Sequence, residues 1–449
     1  MKEAIIETTP LELVRGRMTL RTSSALVQTI SDLIASGALV HGDQLPTVRE
    51  VAEECSMSRS AVGEAWRELG QRGLIETRRR GGTRVLGKPE TPRALRYESM
   101  IRSTISGVRD LANLRTDSLR YPDLSRAVAW SVTQPHLHDV FDPPITDELL
   151  QATRATLPYS PQGALAMHGM MDSVELILSL LVHAGDTVVV ESPTLGRVLD
   201  ILDSRGARIV QIDYRHDGPD LAALQRSLIS KPAAFIYQPA GQAPSGRSIT
   251  ADWVAAAASI LPPTLPVIEL SQRSLLNPSH PSLGTAIPEQ VTHIRSFNMF
   301  FGADMRLSVV FSNAELIEAA WMRLTYSTRF VSRILQGALA FLLTDDVAQA
   351  ELAVLLHDMR SRHALLTGAL RSRGFEIEES LGPSTWIPVP DDHSVCTRLS
   401  LNGVAVHPGR FFLAPDSREQ RIHVNSAAVD GDHEEVAQLI ADACRLLPR

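Results

Sequence analysis

Arginine supplies nearly all the positive charge of this chain, and one group of arginines is spaced for contact with anions. Three arginines at 78–80 stand directly before Gly81 and Gly82, in the segment LIETRRRGGTRVL. The pattern predicts two short strands joined by a glycine turn. Glycines let a backbone lie close to phosphate groups, and arginines neutralise phosphate charge. The segment therefore predicts a nucleic-acid-binding wing.

Lysine, by contrast, is rare, because the 449 residues contain only Lys2, Lys88 and Lys231. A lysine amine is the group that forms an imine with an aldehyde. Lys231 lies just before the apolar segment 233–237, which is predicted to be a strand. Ligands of parallel sheets bind beyond the carboxyl ends of strands, so Lys231 is expected on the wrong side for such chemistry.

Composition narrows the class of protein further. The cysteines Cys55, Cys396 and Cys444 are scattered, so neither a disulfide framework nor a zinc cluster is expected. The N-terminus lacks the apolar core of a signal peptide, and no apolar run is long enough to cross a bilayer. These features predict a cytoplasmic protein with no membrane contact, and the length predicts two or three domains.

Basic charge is concentrated at the front of the chain. The formal net charge is −7. Residues 1–88 hold 13 Lys and Arg against 11 Asp and Glu, which gives +2, and the remainder holds 31 against 40, which gives −9. The imbalance favours a DNA-binding domain at residues 1–88.

Two short helices are predicted directly before this wing. Thr47 and Glu50 have the spacing of a capping box, so a helix is expected from Thr47 to about Cys55. Ser58 can cap the next helix, whose apolar residues lie at i, i+4 and i+7. An earlier helix is expected to be capped by Ser23 or Ser24. Two helices around a three-residue turn form a helix-turn-helix, whose second helix enters the major groove.

These motifs resemble the GntR family of bacterial regulators over roughly residues 20–86. The matching stretches are GDQLPTVREVA, SRSAVGEAWRELGQRGLI and GGTRV. The resemblance implies binding to double-stranded DNA. Its base contacts would come from the helix that follows Pro46 and from the start of the recognition helix. The implied DNA-binding residues, with those of the wing, are Arg49, Ser58, Arg59, Ser60, Arg78, Arg79, Arg80, Gly82 and Thr83. The alternative is that Arg49 and Arg59 only solvate helix ends.

The rest of the chain is predicted to be an α/β domain behind a linker at 89–120. From residue 121 short apolar strands alternate with helices, which is typical of a mostly parallel sheet. Strands are predicted at 187–190, 207–212, 233–237, 265–269, 293–297 and 307–311. From about residue 345 to 449, beginning with a long helix at 347–373, a smaller α+β lobe is expected.

The order of motifs in this domain resembles the fold-type-I aminotransferases. Together with the N-terminal domain, it resembles the MocR subfamily of GntR regulators, which joins these two domains. The landmarks are YSPQG, HGMMDSVELIL, HAGDTVVVESPT, GQAPSGRSI, VIELSQ, SFNMFFGADMRLS, GVAVHPGRFF and QRIHV. The resemblance implies a winged helix-turn-helix at 1–88 and an aminotransferase-like effector and dimerisation domain at 121–449, which forms homodimers.

The positions that serve pyridoxal phosphate in that family differ here. Met299 stands in place of the imine-forming lysine, and Leu270 in place of the acid that faces the pyridine nitrogen. Gln272 replaces a tyrosine, and Leu195 replaces the aromatic residue that stacks on the ring. The resemblance therefore implies a degenerate cofactor site, with no covalent cofactor and no catalytic residue.

Some anion-binding positions of the family are kept. Ser296 and Arg306 match its phosphate anchors, and Arg421 matches the arginine that holds a substrate carboxylate. Gly169 opens a helix whose N–H groups could face an anion, and His168 beside it could donate as well. Arginine suits such roles because its planar fork meets a carboxylate or phosphate bidentately. The alternatives are that the arginines form internal ion pairs in a pocket that no longer binds a ligand, and that His168 has only a structural role.

Three functions are compatible with these patterns. The first is a transcription regulator whose domain at 121–449 binds a small anionic effector without imine chemistry, or binds pyridoxal phosphate noncovalently. The second is a regulator whose aminotransferase-like domain only dimerises. The third is an active aminotransferase, which Met299 and Leu270 disfavour.

Overall fold

The chain forms two compact units, Met1–Arg93 and Ala94–Arg449. The computed structural model describes residues 9–18, 20–71, 73–78, 82–86, 94–102, 108–113, 120–138, 143–413 and 417–445.

The first unit combines short helices with a small antiparallel sheet. Its helices are α1 (Pro10–Arg17), α2 (Ser23–Ala35), α3 (Val48–Glu54) and α4 (Arg59–Gln71). Its strands are β1 (Gln44–Leu45), β2 (Ile75–Arg78) and β3 (Gly82–Val85), in the order β1-β3-β2. The predicted α+β winged helix-turn-helix is thereby confirmed, and β1 is a third strand that the sequence analysis did not predict.

Local capping determines where these helices begin. Thr47 Oγ1 accepts from the Glu50 backbone N–H at 3.3 Å, and the Glu50 carboxylate accepts from the Thr47 backbone N–H at 2.7 Å. This capping box is the predicted one. The predicted cap of α2 is wrong, because Ser23 lies inside the helix and Thr22 is the residue with extended backbone. Thr22 Oγ1 accepts from the Ala25 backbone N–H at 3.2 Å.

Apolar side chains from α2, α3, α4 and the strands form the core of this unit. On α4, Val62, Trp66 and Leu69 are buried, as their spacing predicts. Each large side chain buried in this way contributes about 1.5–3 kcal/mol before the entropic cost of ordering the chain. The opposite face of α4 is thus left exposed at the surface.

The second unit alternates helices and strands along most of its length. Its helices are α5 (Leu95–Arg102), α6 (Leu124–Ser131), α7 (Asp147–Arg154), α8 (Met170–Leu181), α9 (Gly196–Ser204), α10 (Leu221–Ser227), α11 (Ala251–Ile260), α12 (Asn298–Phe301), α13 (Ala314–Leu324), α14 (Arg333–Thr344), α15 (Asp346–Ser372), α16 (Asp392–Leu401) and α17 (His433–Arg445). Its strands are β4 (Arg109–Asp110), β5 (Gly163–Met167), β6 (Thr187–Ser192), β7 (Arg208–Asp213), β8 (Ala234–Tyr237), β9 (Val267–Ser271), β10 (Val291–Ser296), β11 (Ser308–Ser312), β12 (Ser384–Pro388), β13 (Val404–Ala405), β14 (His407–Pro408) and β15 (Arg421–Asn425).

Within the described residues, a central sheet has the strand order β5-β11-β10-β9-β8-β6-β7. Neighbouring strands are parallel except where β11 pairs antiparallel with β5 and β10. Strands β5, β6, β8 and β11 are mostly apolar, as expected for a sheet covered on both faces, whereas β10 also buries His293 and Arg295. Alternate side chains pack either under α8, α9 and α13 or against the helices of the other face. The predicted α/β large domain with a mostly parallel sheet is confirmed.

The C-terminal lobe is smaller and contains mixed elements. Strands β12, β15 and β14 form an antiparallel sheet, and β13 pairs parallel with β4. Helices α15, α16 and α17 pack against it, so the predicted α+β lobe is confirmed. Two stretches of the predicted linker, α5 and β4, belong to the second unit. Its other residues at 89–93, 103–107 and 114–119 lie outside the described residues.

Candidate functional site

Arg49 and Arg59 lie close together on the exposed surface of the first unit. Arg49 is in the first turn of α3, and Arg59 is the first residue of α4. Their side chains are 72% and 70% exposed, and both approach the carboxylate of Glu53, at 3.4 Å and 3.8 Å. The structure thus brings together two of the implied base-contacting residues, which lie ten positions apart in the chain.

The serines of the helix-turn-helix lie beside these arginines in the chain. Ser58 Oγ accepts from the Ala61 backbone N–H at 3.2 Å and lies 2.9 Å from Ser60 Oγ. Ser58 therefore caps α4 and shares a hydrogen bond with Ser60 at the exposed start of that helix.

The wing strands lie next to each other in register. Thr77 pairs with Thr83 and their hydroxyl oxygens are 3.1 Å apart, while Arg78 pairs with Gly82. The side chain of Arg78 and the residues Arg79 and Arg80 lie outside the described residues. Their DNA contacts remain a prediction.

A cavity of about 400 Å³ opens at the carboxyl edge of the central sheet in the second unit. His168 follows β5, Gln272 follows β9, and Ser296 ends β10. Arg306 precedes the antiparallel strand β11, which begins at the same edge. The residues that line the cavity are His168, Gly169, Met170, Met171, Asp172, Glu175, Arg197, Ile201, Gln272, Ser296, Asn298 and Arg306. Ligands of α/β sheets bind at this edge.

The N-terminus of α8 forms one wall of the cavity. Gly169 is its N-cap residue and supplies no side-chain cap. Its φ is +94°, a conformation in which a side chain is strained. The first hydrogen bond of the helix runs from the Ser173 backbone N–H to the Gly169 carbonyl, so the earlier N–H groups have no helical partner. This wall carries partial positive charge.

Two arginines add full positive charge to the same cavity. Burial lowers the pKa of Arg197 and the nearby Arg306 charge lowers it further, while Tyr97 and Asp200 act in the opposite direction. Arg306 is exposed and has no hydrogen bond or ion pair with another residue in the described part of the chain. Since the two cations repel each other, an anion bound between them would relieve that repulsion.

Polar side chains that line the cavity with Arg197 and Arg306 suit an anion that has several oxygen atoms. Ser296 Oγ donates to Asn298 Oδ1 at 2.8 Å, and His168 Nε2 is buried without a partner among the described residues. Two carboxylates also line the cavity. Glu175 is paired with Arg205, which leaves Asp172 as an exposed acid at the edge of the cavity.

Arg421 lies elsewhere. It begins β15, and its Nε donates to Glu419 Oε1 at 2.5 Å. It lines a small separate recess with Arg247 and Trp386. The structure therefore gathers Gly169, Ser296 and Arg306 around one cavity but does not bring Arg421 to it.

The four positions at which this chain lacks the family's cofactor-binding residues have different surroundings. Leu270 is 1% exposed and packs under α8 and α9, and Leu195 packs against the same apolar cluster. Met299 packs on the opposite face of the sheet, against the cluster that contains Phe297. Gln272 is the member of this set that lines the cavity.

Lys231 lies at the other edge of the sheet. It ends a short turn of 3₁₀ helix and precedes β8, whose carboxyl end faces the edge with the cavity. It is the one lysine among the described residues, and the cavity has no amine in its lining. The residues present do not fit a cofactor held through an imine.

Sequence reasoning missed Arg197 and Asn298. Arg197 is in the first turn of α9, where a cation faces the positive end of the helix dipole. This unfavourable placement, in the helix that follows the parallel strand β6, is a signal that could have identified it as an anion ligand.

Within the described residues, no group of three or more His, Cys, Asp or Glu side chains could hold a metal ion. None of the described helices is long and apolar enough to span a bilayer.

Comparisons with known proteins agree with this division of the chain. Residues 22–85 match the family "Bacterial regulatory proteins, gntR family", and residues 131–441 match "Aminotransferase class I and II". The vitamin B6 salvage pathway transcriptional repressor PtsJ of Salmonella typhimurium is 29% identical over 441 residues, covering 96% of this chain and 99% of PtsJ. The HTH-type transcriptional regulator TauR of Rhodobacter capsulatus is 24% identical, covering 88% and 90%.

Solved structures show the fold of the second unit. The kynurenine aminotransferase of Pyrococcus horikoshii has a TM-score of 0.67 at 16% identity, covering 78% of this chain and 95% of its own. An archaeal alanine:glyoxylate aminotransferase has a TM-score of 0.69 at 17% identity, covering 84% and 97%. The chain therefore belongs to the MocR-type transcriptional regulators, which join a gntR-family DNA-binding domain to a class I and II aminotransferase domain.

Proposed function

We propose that this regulator binds a small anionic effector noncovalently in the cavity at the sheet edge, and that the effector changes its binding to DNA. It acts as a homodimer in the bacterial cytoplasm. A DNA-binding domain at 1–88 is joined through residues 89–120, of which α5 and β4 belong to the second unit, to an effector and dimerisation domain at 121–449.

The observation that carries this proposal is the pair of arginines in one cavity. Arg306 has no described partner, and Arg197 faces the same space beside the uncapped N-terminus of α8. An anion of the phosphate type would receive charge-assisted hydrogen bonds from both side chains. Asn298 and His168 would donate to its remaining oxygens, and Ser296 would do so by turning its hydroxyl away from Asn298 Oδ1.

Catalysis by an imine is not part of this function. Met299 packs in an apolar cluster, Leu270 is buried, and Lys231 precedes β8 at the opposite edge of the sheet. The name of the Salmonella relative refers to vitamin B6 salvage. Pyridoxal phosphate is therefore a suitable noncovalent probe, together with inorganic phosphate.

On the DNA side, we propose base contacts by Arg49, Ser58, Arg59 and Ser60 and backbone contacts by the wing. The wing residues are Arg78, Arg79, Arg80, Gly82 and Thr83. The exposed positions of Arg49 and Arg59 beside the exposed start of α4 support this assignment.

The test is calorimetric titration of the full chain with inorganic phosphate and with pyridoxal phosphate. Arg306→Gln should weaken binding about 10- to 100-fold, because it removes a charge-assisted hydrogen bond. Arg208→Gln is the matched control, since Arg208 is an exposed arginine that begins β7 at the opposite edge of the sheet. It should bind both probes like the wild type.

Borohydride treatment of the pyridoxal phosphate complex, followed by peptide mass spectrometry, separates the modes of binding. No label on Lys231 is expected. A reduced adduct there would overturn the noncovalent proposal. Failure of both anions to bind, with DNA binding intact, would instead favour a domain that only dimerises.

A further inference from the structure

Helix α5 is anchored on α9 by a buried carboxylate. Asp200 of α9 accepts from the backbone N–H groups of Arg96 and Tyr97, at 3.2 Å and 3.0 Å. The Arg96 guanidinium also donates to Asp200 at 3.1 Å and to Asp203 at 2.6 Å. The Asp200 side chain is 5% exposed. A residue of α9 therefore caps the first turn of α5.

A second contact joins the same two helices. The guanidinium carbon of Arg197 lies 4.5 Å from the centre of the Tyr97 ring, which is 38% exposed. Arg197 is also one of the residues that line the cavity. One side chain thus faces the candidate effector site and covers an aromatic ring of α5.

Helix α5 is the element of the second unit that follows the DNA-binding unit in the chain. The first compact unit ends at Arg93, and α5 begins at Leu95. It is the first helix of the second unit, and the DNA-binding unit is joined to it through the chain. A change in how α5 is held on α9 would therefore alter the tether of the DNA-binding unit.

We propose that Arg197 couples the cavity to the DNA-binding unit by moving from the Tyr97 ring to the bound anion. This inference rests on the proposed function and specifies how anion binding at that site affects the DNA-binding unit. The element that changes is the N-terminal turn of α5. Without a bound anion, both Arg197 and Asp200 hold this turn on α9. With an anion bound, Asp200 alone holds it.

Two interactions compete for the Arg197 guanidinium, and the stronger one determines where this side chain lies when an anion is bound. A cation–π contact with a partly exposed ring is weaker than a charge-assisted hydrogen bond to a phosphate oxygen inside a cavity. Repulsion from Arg306 also falls when an anion lies between the two arginines. The ligand therefore binds the released arrangement better, as a ligand must if it is to shift an equilibrium.

The experiment is hydrogen exchange of the full chain with and without saturating inorganic phosphate, read at the backbone amides of α5. Phosphate should raise exchange in α5 about fivefold or more, the low end of ordinary coupling between sites. Tyr97→Leu should show raised exchange without phosphate and no further response to it. Tyr97→Phe keeps the aromatic face and should respond like the wild type.

Binding measured on the same samples separates the two proposals. Tyr97→Leu should still bind phosphate, within about threefold of the wild type, because Arg197 and Arg306 remain. Phosphate binding without any change of α5 exchange in the wild type would overturn the coupling while sparing the proposed function. Absence of phosphate binding in the wild type would overturn the proposed anion site itself.

Discussion

The carboxylate of Glu53 lies 3.4 Å from Nε of Arg49, one helical turn earlier on α3. The same carboxylate oxygen is 3.8 Å from a guanidinium nitrogen of Arg59, the first residue of α4. A single acid thus faces both arginines that are proposed to contact bases. Each pair is largely exposed, so its effect on stability is small, about 0–1 kcal/mol. Its effect on DNA binding should be larger.

Replacing Glu53 with glutamine should increase binding to nonspecific DNA. The change removes a negative charge that repels phosphates and frees two arginines to neutralise them, so affinity should rise about threefold or more and the salt dependence should steepen. Fluorescence anisotropy with a random duplex over a range of salt concentrations measures both quantities.

Glu54→Gln is the control for Glu53→Gln, because Glu54 is the next residue of α3 and pairs with Arg15 at 3.1 Å. It should leave nonspecific affinity unchanged. Equal effects of the two substitutions would show that Glu53 acts only through net charge.

Arg49→Ala and Arg59→Ala should each weaken specific DNA binding. If each arginine contacts a base edge, its loss should cost about 1–3 kcal/mol and relax the sequence preference at one position. The measurement is affinity for a duplex selected by the full chain from a random pool, and for single-base variants of it. Arg15→Ala, a similarly exposed arginine of α1, serves as the control. A uniform loss across all sequences would assign the arginines to phosphates instead.

Asp200→Ala should release α5 from α9. The substitution leaves two backbone N–H groups and the Arg96 guanidinium without their buried acceptor, which costs about 1–3 kcal/mol. Limited proteolysis should then cut within α5 faster than in the wild type. Asp203→Ala removes a carboxylate that is 53% exposed and binds only the Arg96 side chain. Its effect should be under about 1 kcal/mol. Equal protection of α5 in all three proteins would contradict the anchoring role of Asp200.

Glu191 should make the second unit less stable as pH rises. Burial raises its pKa to about 8, although Gln238 donates to its Oε1 at 2.7 Å. Between a pKa of about 4.5 in the unfolded chain and about 8 in the folded chain, the folded state holds a proton that the unfolded state has lost. Stability therefore falls through this window by roughly 1.4 kcal/mol per pH unit.

Glu191→Gln should flatten this pH dependence, because the substituted side chain does not titrate. Urea unfolding of the second unit at intervals from pH 5 to pH 8 measures the slope. Glu318→Gln replaces an exposed side chain of α13 and should keep the wild-type slope. An identical slope in Glu191→Gln would mean that this carboxyl is ionised in the folded protein.

Local patterns predicted much of the fold. The capping box of Thr47 and Glu50 involves residues three apart, and the buried face of α4 follows from helical spacing, so both could be inferred without tertiary contacts. The parallel sheet followed from apolar runs between helices. The cap of α2 was misplaced by one or two positions, because Thr22, Ser23 and Ser24 are all competent caps and only the backbone conformation distinguishes them.

The sequence by itself determined the two kinds of domain, the absence of a lysine from motif positions, and four members of the candidate anion site, which are His168, Gly169, Ser296 and Arg306. Only the tertiary structure decided that Arg197 joins Arg306, that Arg421 lies apart, and that Asp200 caps a helix about a hundred residues earlier. Contacts between such distant residues depend on how whole elements pack, and no periodicity along the chain records that packing.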